Sequence, residues 1–324
     1  MAKFPKSRLL KCLALLLLLS LFCYIYVKSS ANSIPKRFTS LPEDLYKPVS
    51  PLSYKYLLNQ PNLCQRRIPF LVLMIPVRLQ DRESRAAIRK TWGQENLVPN
   101  VDIVRVFFIG QPKENDPKHQ EDLQKESKTH LDIVQMDFLD TYHNLTIKTM
   151  MMMNWLDTHC PTAQYAMKID ADIFLNVPYL VDYLQNQAYK QDYITGSVIT
   201  DGTPRRNKYS KWYLSEELYP EDKFPPYLSG AGYVFSVDLA SKIVQASRFV
   251  VPIPLEDVYI GLCLHFLDVQ PVFARTFLPY RNLFEIRHLE YERCTFAKRI
   301  IVTGFTPSQL IHTWSDFQRD GFSC

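Results

Sequence analysis

Apolar positions along this chain fall into short runs separated by amphipathic stretches. Phe70 to Val77 is an apolar run bounded by Pro69 and Arg78, which predicts a buried strand. Asp81 is placed to cap a following helix, to which Ala86, Ala87, Ile88 and Trp92 give apolar contacts before Gly93 stops it. Ile103 to Ile109 predicts a second strand ending at Gly110, and the charged segment Lys118 to His130 a surface helix. Leu131 to Met136 then reads as a third strand, Leu145 to Trp155 as a helix heavy in methionine, and Tyr165 to Ile169 as a fourth strand. The run Met150 to Met153 suits core packing. Such alternation predicts an α/β, Rossmann-like, mainly parallel sheet with right-handed crossovers and helices on both faces. Ligands in such sheets sit at the strand carboxyl ends. The later part is less regular, with Trp212, Tyr213, Phe224-Pro225-Pro226-Tyr227, Gly230 and Gly232. No repeat of solenoid period and no phosphate-cradling Gly-x-Gly-x-x-Gly or Walker pattern is found.

The N-terminus has a pattern of its own. Lys3, Lys6, Arg8 and Lys11 precede an apolar run from Cys12 to Val27, led into by Leu9 and Leu10 and closed by Lys28. That run is long enough for a bilayer, Tyr24 and Tyr26 suit its interface, and the basic residues before it place the N-terminus in the cytosol. A cleaved signal peptide is the competing reading, with Ser29-Ser30-Ala31 as a weak cleavage site. The retained anchor divides the chain into a cytosolic tail (1–8), a transmembrane signal-anchor (9–27), a Pro-rich stem (28–62) and a lumenal domain (63–324), itself split into halves 63–175 and 176–324.

The net charge of +5 is modest and partly carried by the tail and stem, so it argues for no nucleic-acid partner. Of seven cysteines, Cys12 and Cys23 fall in the anchor; Cys64, Cys160, Cys263, Cys294 and Cys324 remain for an oxidising lumen, where spacing selects no pairing. One glycosylation acceptor pattern is present, Asn144-Leu145-Thr146.

The strongest chemical signal is Lys168-Ile169-Asp170-Ala171-Asp172, directly after a predicted strand at its ligand-facing end. Asp170 and Asp172 can approach one hard cation together, and such a metal would neutralise a diphosphate leaving group. Lys168 could add charge unless strand alternation turns it away. The second signal is a pair of acids, Glu256 and Asp257, inside an otherwise apolar stretch from Leu255 to Cys263. One of them, Asp257, could take a proton from an acceptor hydroxyl while Glu256 binds the acceptor; helix capping after Pro254 is the plainer use. Arg85, Arg89 and Trp92 share one predicted helical face and could serve a nucleotide or simply pair with acids.

Read together, these segments resemble the beta-1,3-galactosyltransferases within the wider beta-1,3-glycosyltransferase family, from about Cys64 to Cys324. The resemblance is carried by Ala87 to Gly93 (AIRKTWG), Asp137 to Thr149 (DFLDTYHNLTIKT), Met167 to Asp172, Ser210 to Tyr213, Tyr219-Pro220, Phe224 to Tyr227, Ser229 to Ser236, and Glu256 to Cys263. It implies a GT-A type fold, a UDP-galactose donor, a GlcNAc-terminated acceptor, manganese on the Asp-x-Asp motif, inversion at the anomeric carbon and a Golgi membrane location. By the same analogy Asp172 and Asp170 hold the metal, Asp257 is the base, and Arg85, Arg89, Trp92, Lys168 and Asp170 face the donor. Glu256, Trp212, Gly230 and Gly232 then belong to the acceptor side. The alternatives are a GlcNAc-transferring cousin, an inactive lumenal binding relative, or, outside the family, a phosphohydrolase with the first aspartate as nucleophile. Two positions depart from the family pattern: Leu228, where cysteine commonly precedes the Ser-Gly pair, and Thr303, where a metal-completing histidine is usual.

Overall fold

In chain order the computed structural model runs β1 (Tyr56–Leu58), β2 (Leu71–Pro76), α1 (Arg82–Lys90), β3 (Ile103–Gln111), α2 (Pro117–His130), β4 (Ile133–Leu139) and α3 (Leu145–His159). It continues with β5 (Tyr165–Ile169), β6 (Ile173–Leu175), α4 (Val177–Gln185), β7 (Ile194–Ile199), β8 (Tyr227–Ser236), α5 (Asp238–Ala246) and α6 (Glu256–Phe266). Last come β9 (Val272–Phe273), α7 (Arg293–Ala297), β10 (Ile301–Thr303) and α8 (Pro307–Phe317). The structure describes residues 54–319 apart from 66, 115, 189–190 and 279–290. The expected tail and anchor, and most of the stem, lie outside the described residues, among which no helix is long and apolar enough to cross a membrane.

Eight strands form one sheet in the order β1-β4-β3-β2-β5-β8-β7-β9. β4, β3, β2 and β5 run parallel, and β7 pairs β9 in parallel, while β8 is antiparallel to both neighbours and β1 to β4. The four strands expected from the sequence are those of the parallel block. Along β2, Leu71, Leu73 and Ile75 enter one core and Val72 and Met74 the other, because successive side chains of a strand point to opposite faces. One core is closed by α3, α5 and α6, and all four methionines of Met150 to Met153 are buried in it. The other is closed by α1, α4, α8 and the small β6–β10 sheet.

The stem boundary needs correction. β1 pairs antiparallel with β4 (Tyr56 opposite Met136), and the Lys55 N–H donates to the Asp137 carboxylate at 2.6 Å, so the folded body includes residues placed in the stem by their proline content. A strand of three residues has too little periodicity to be read from sequence; its partner across the sheet makes it. Cys64 is bonded to Cys160, tying the entry to β2 to the end of α3, and Cys294 is also disulfide-bonded. Cys263 is a buried free thiol in the same core as Leu228.

At the ligand-facing end of the sheet, a buried strut fixes three strand ends. Lys148 of α3 donates to the Val77 carbonyl at 2.8 Å and to Asp140 at 2.7 Å, and Asp140 also accepts the Gly110 N–H at 2.9 Å. The ends of β2, β3 and β4 are thereby held to one helix.

Candidate active site

β5 and β8 bring the two acidic motifs together. Opposite residues on this antiparallel pair are Lys168 and Tyr233, then Ile169 and Gly232, and the Asp170 N–H donates to the Ala231 carbonyl. Alternation sends Met167 and Ile169 into one core and Lys168 to the other face of the sheet, toward the first turn of α6. There the Lys168 ammonium donates to Asp170 at 2.8 Å and to the Gly230 carbonyl, and stands 3.5 Å from Glu256. Lys168 was expected to face the donor; its hydrogen-bond partners are instead protein oxygens, and it bridges the two acidic motifs.

Glu256 is buried and accepts a hydrogen bond from the Tyr233 hydroxyl at 2.7 Å. Asp257 is half-buried, and one of its oxygens accepts the Val258 N–H at 2.9 Å. The N-cap position of α6 is Leu255, which carries no side-chain cap bond, so it is Asp257 whose side chain satisfies a first-turn N–H of the helix. Gly230 faces this pair: a Cβ there would lie 3.4 Å from an Asp257 oxygen and 3.5 Å from a Glu256 oxygen. Gly232, expected on the acceptor side, packs elsewhere, since its added Cβ would meet the Met167 side chain at 3.3 Å. Gly261 allows α6 to approach β8, because a Cβ there would stand 2.5 Å from that of Tyr227.

The electrostatics follow from three carboxylates sharing one cation. Burial raises the pKa of Asp257, opposed by the backbone N–H of Val258 and by the Lys168 charge. Burial likewise raises Glu256, with Asp257 adding to the rise and Lys168 opposing it. Burial alone would lower Lys168, but Asp170 and Glu256 outweigh it and hold the ammonium well above its ordinary value. Tyr233, which the sequence reading missed, is raised by burial and by its bond to Glu256, so it stays a donor. Nothing in its local sequence marks it; the register with Lys168 does.

Asp172 lies at the other side of the motif. Its backbone carbonyl accepts the N–H groups of Gly304 and Phe305, both at 2.9 Å, and Thr303 pairs with Ile173 across the β10–β6 ladder. The position counted as Thr303 is therefore beside the Asp-x-Asp turn. Among the described residues no group of three His, Cys, Asp or Glu side chains could hold a metal ion.

Arg85, Arg89 and Trp92 were expected to line the nucleotide, and the structure gives them other partners. Arg85 is 1% exposed, forms a two-bond pair with Glu126 (2.7 and 2.9 Å) and donates to the carbonyls of Arg78 and Leu79. Arg89 bonds Glu126 and Asp132, and Arg105 also reaches Asp132. The Trp92 indole is in the core and donates to the Ile173 carbonyl at 2.8 Å. These are fixing contacts between α1, α2 and the sheet. Asp81 occupies the N-cap position of α1, but its carboxylate turns back to the Arg78 N–H and guanidinium and leaves the helix N–H groups alone. A cavity of about 690 Å³ opens beside α1, lined by Leu79, Gln80, Lys118, His119 and the Arg85–Glu126 pair among others. No member of the acidic cluster lines it.

At the rim, Trp212 and Tyr142 are each nearly half exposed, and the Lys211 ammonium lies over both rings. Asn144 donates its side-chain amide to the Leu139 carbonyl, and the hydroxyl of buried Thr146 bonds the Ile253 carbonyl, so both polar members of the glycosylation pattern have partners within the fold.

Residues 83–275 match the family model described as galactosyltransferase. The chain belongs to this family. It is 42% identical to mouse beta-1,3-galactosyltransferase 2 over 271 residues, covering 82% of this chain and 63% of that protein. The human beta-1,3-galactosyltransferase 2 is 41% identical over the same shares. Mouse beta-1,3-galactosyltransferase 1 is 39% identical, covering 83% of this chain and 80% of its own length. The matched region thus spans somewhat under two thirds of the type 2 relatives. Among solved structures, the apo WbbM bifunctional glycosyltransferase aligns with a TM-score of 0.43 at 10% identity over 79% of this chain and 51% of that one, a likeness too loose to argue from.

Proposed function

We propose that this galactosyltransferase-family chain is an inverting beta-1,3-galactosyltransferase that moves galactose from UDP-galactose to a GlcNAc-terminated glycan. The observation that carries the reading is the meeting of Asp170, Glu256 and Asp257 around one lysine at the carboxyl end of β5. A surplus of negative charge there suits a site that takes up positive charge during its work, as a cation or as a proton. The names of the relatives support the choice of galactose and of the 1,3 linkage.

Asp257 is the base. Its carboxylate, made more basic by burial, takes the proton of the acceptor hydroxyl as that oxygen bonds to the anomeric carbon of galactose. The bond from that carbon to the β-phosphate oxygen breaks on the opposite face, UDP leaves, and the centre is inverted. Glu256, fixed by Tyr233 and Lys168, stands beside it to bind the acceptor, and Gly230 packs against both acids. Asp170, whose carboxylate is 42% exposed beside the Lys168 ammonium, and Asp172 would hold a manganese ion through hard oxygen donors. When bound, the ion would neutralise charge on the departing diphosphate. The basic residues and apolar run at 3–28 support a single-pass type II anchor in the Golgi membrane with this domain in the lumen.

The test is UDP release by the chain from about residue 50 onward, with UDP-galactose, UDP-GlcNAc or UDP-GalNAc, GlcNAc- or galactose-terminated acceptors, and manganese present or chelated. Acceptor-dependent release from UDP-galactose that falls by roughly 10²- to 10⁴-fold in Asp257→Asn is the expected result. Release from UDP-GlcNAc onto galactose would reassign the donor, and UDP binding without release from any donor would sink the enzyme reading.

A further inference from the structure

The rim of the acidic cluster carries a group of side chains that the chemistry above does not use. Tyr142 comes from the 3-10 turn Tyr142–Asn144 between β4 and α3, and Trp212 from the connection between β7 and β8. The Lys211 ammonium lies over both rings, 4.6 Å from the centroid of Trp212 and 5.9 Å from that of Tyr142. A cation held over two ring faces fixes them relative to each other. Both rings nonetheless remain nearly half exposed, at 45% and 47%.

Their place relative to the acids is also fixed. Tyr142 is near enough to Asp257, Asp170 and Glu256 to feel the charge of all three, which add to the rise in its pKa caused first by burial. Its turn is tied at both ends: Asn144 bonds the Leu139 carbonyl at 2.8 Å, and Thr146 bonds the Ile253 carbonyl at 2.7 Å, just before the chain enters α6 and its two acids. The Asn144 and Thr146 side chains therefore serve as ties for the turn that presents Tyr142.

We propose that Tyr142 and Trp212 together form a platform on which the acceptor's terminal sugar lies while its hydroxyl faces Asp257, with Lys211 positioning the two rings. A pyranose has one face of C–H groups, which suits an exposed aromatic surface, and a rim of hydroxyls, which suits carboxylates; this site offers the two side by side. The proposal rests on the functional reading above and extends it to a residue, Tyr142, that contacts the acceptor.

The experiment measures KM for donor and acceptor separately in Tyr142→Ala, Tyr142→Phe and Lys211→Gln, with saturation-transfer NMR on a GlcNAc β-glycoside as a readout of acceptor binding without turnover. Tyr142→Ala should raise acceptor KM by about tenfold or more and abolish saturation transfer, at unchanged donor KM. Tyr142→Phe keeps the ring and should restore most of the binding, and Lys211→Gln should raise acceptor KM by a smaller factor. An unchanged acceptor KM in a folded Tyr142→Ala, or an equal rise in donor KM, overturns the platform alone. A wild-type chain that neither transfers to nor shows saturation transfer with GlcNAc- or galactose-terminated glycosides overturns the functional reading, and the platform with it.

Discussion

Two buried clusters of charge lie in this domain, and they differ in balance. Beside α1, the guanidiniums of Arg85, Arg89 and Arg105 face three carboxylates, buried Glu126 and Asp132 and, at the surface 3.8 Å from Arg105, Glu95, and the spare donors go to backbone carbonyls of Arg78, Leu79 and Gly93. At the end of β5, Lys168 alone faces Asp170, Glu256 and Asp257. In the first cluster hydrogen bonds and charges from Arg85 and Arg89 outweigh burial and lower the Glu126 pKa; in the second, burial raises both acids of α6, and the charge of Asp257 adds to the rise in Glu256. A balanced cluster has no further ligand to take up and serves to fix elements together. An unbalanced one stores unfavourable charge that a cation, a proton or a substrate relieves, which is why perturbed acids gather at reacting sites.

The contrast can be broken from either side. The largest effect is expected on the unbalanced side, where Asp257→Asn should remove transfer with little change in melting temperature. Next, Arg85→Met should leave Glu126 with one guanidinium fewer in a buried site and cost about 3–5 kcal/mol of stability, seen as a lower urea midpoint. The same variant, at a temperature where it is folded, should keep the wild-type acceptor KM; a donor or acceptor defect without loss of stability would return Arg85 to the binding site.

A smaller effect is expected from Tyr233→Phe, which removes one hydrogen bond to a buried carboxylate and should cost about 1.5–3 kcal/mol, divided between stability and rate. The smallest is in the pH dependence of unfolding. Because the folded pKa of Glu126 is depressed, its contribution is present above the unfolded carboxylate value and is lost as pH falls through the folded value. Glu126→Gln should therefore flatten the acid limb of the stability curve, and an unchanged limb would show that this ion pair is not what holds the fold at low pH.

Much of the first half could be read from the chain alone. The strands at Leu71, Ile103, Ile133 and Tyr165 announce themselves because a strand buried on both faces is largely apolar, whereas of the three helices between them only α2 carries a side-chain cap, Asp116. β8 was not legible: a ten-residue strand with Gly230 and Gly232 has little strand propensity, and its antiparallel place beside β5 follows from pairing over a long sequence separation. β1 was missed for the same reason.

The sequence by itself determined the family, the two acidic motifs and the parallel block, because each is written in consecutive residues. Only the tertiary structure decided which charges stand together. Arg85, Arg89 and Trp92 share a helical face with the right chemistry for a nucleotide, yet Glu126, Asp132 and the Ile173 carbonyl, all distant in sequence, are their partners. Lys168 and Tyr233, in turn, acquire their roles from a strand register, because a charge is defined electrostatically by its neighbours in space and a chain names only its neighbours in order.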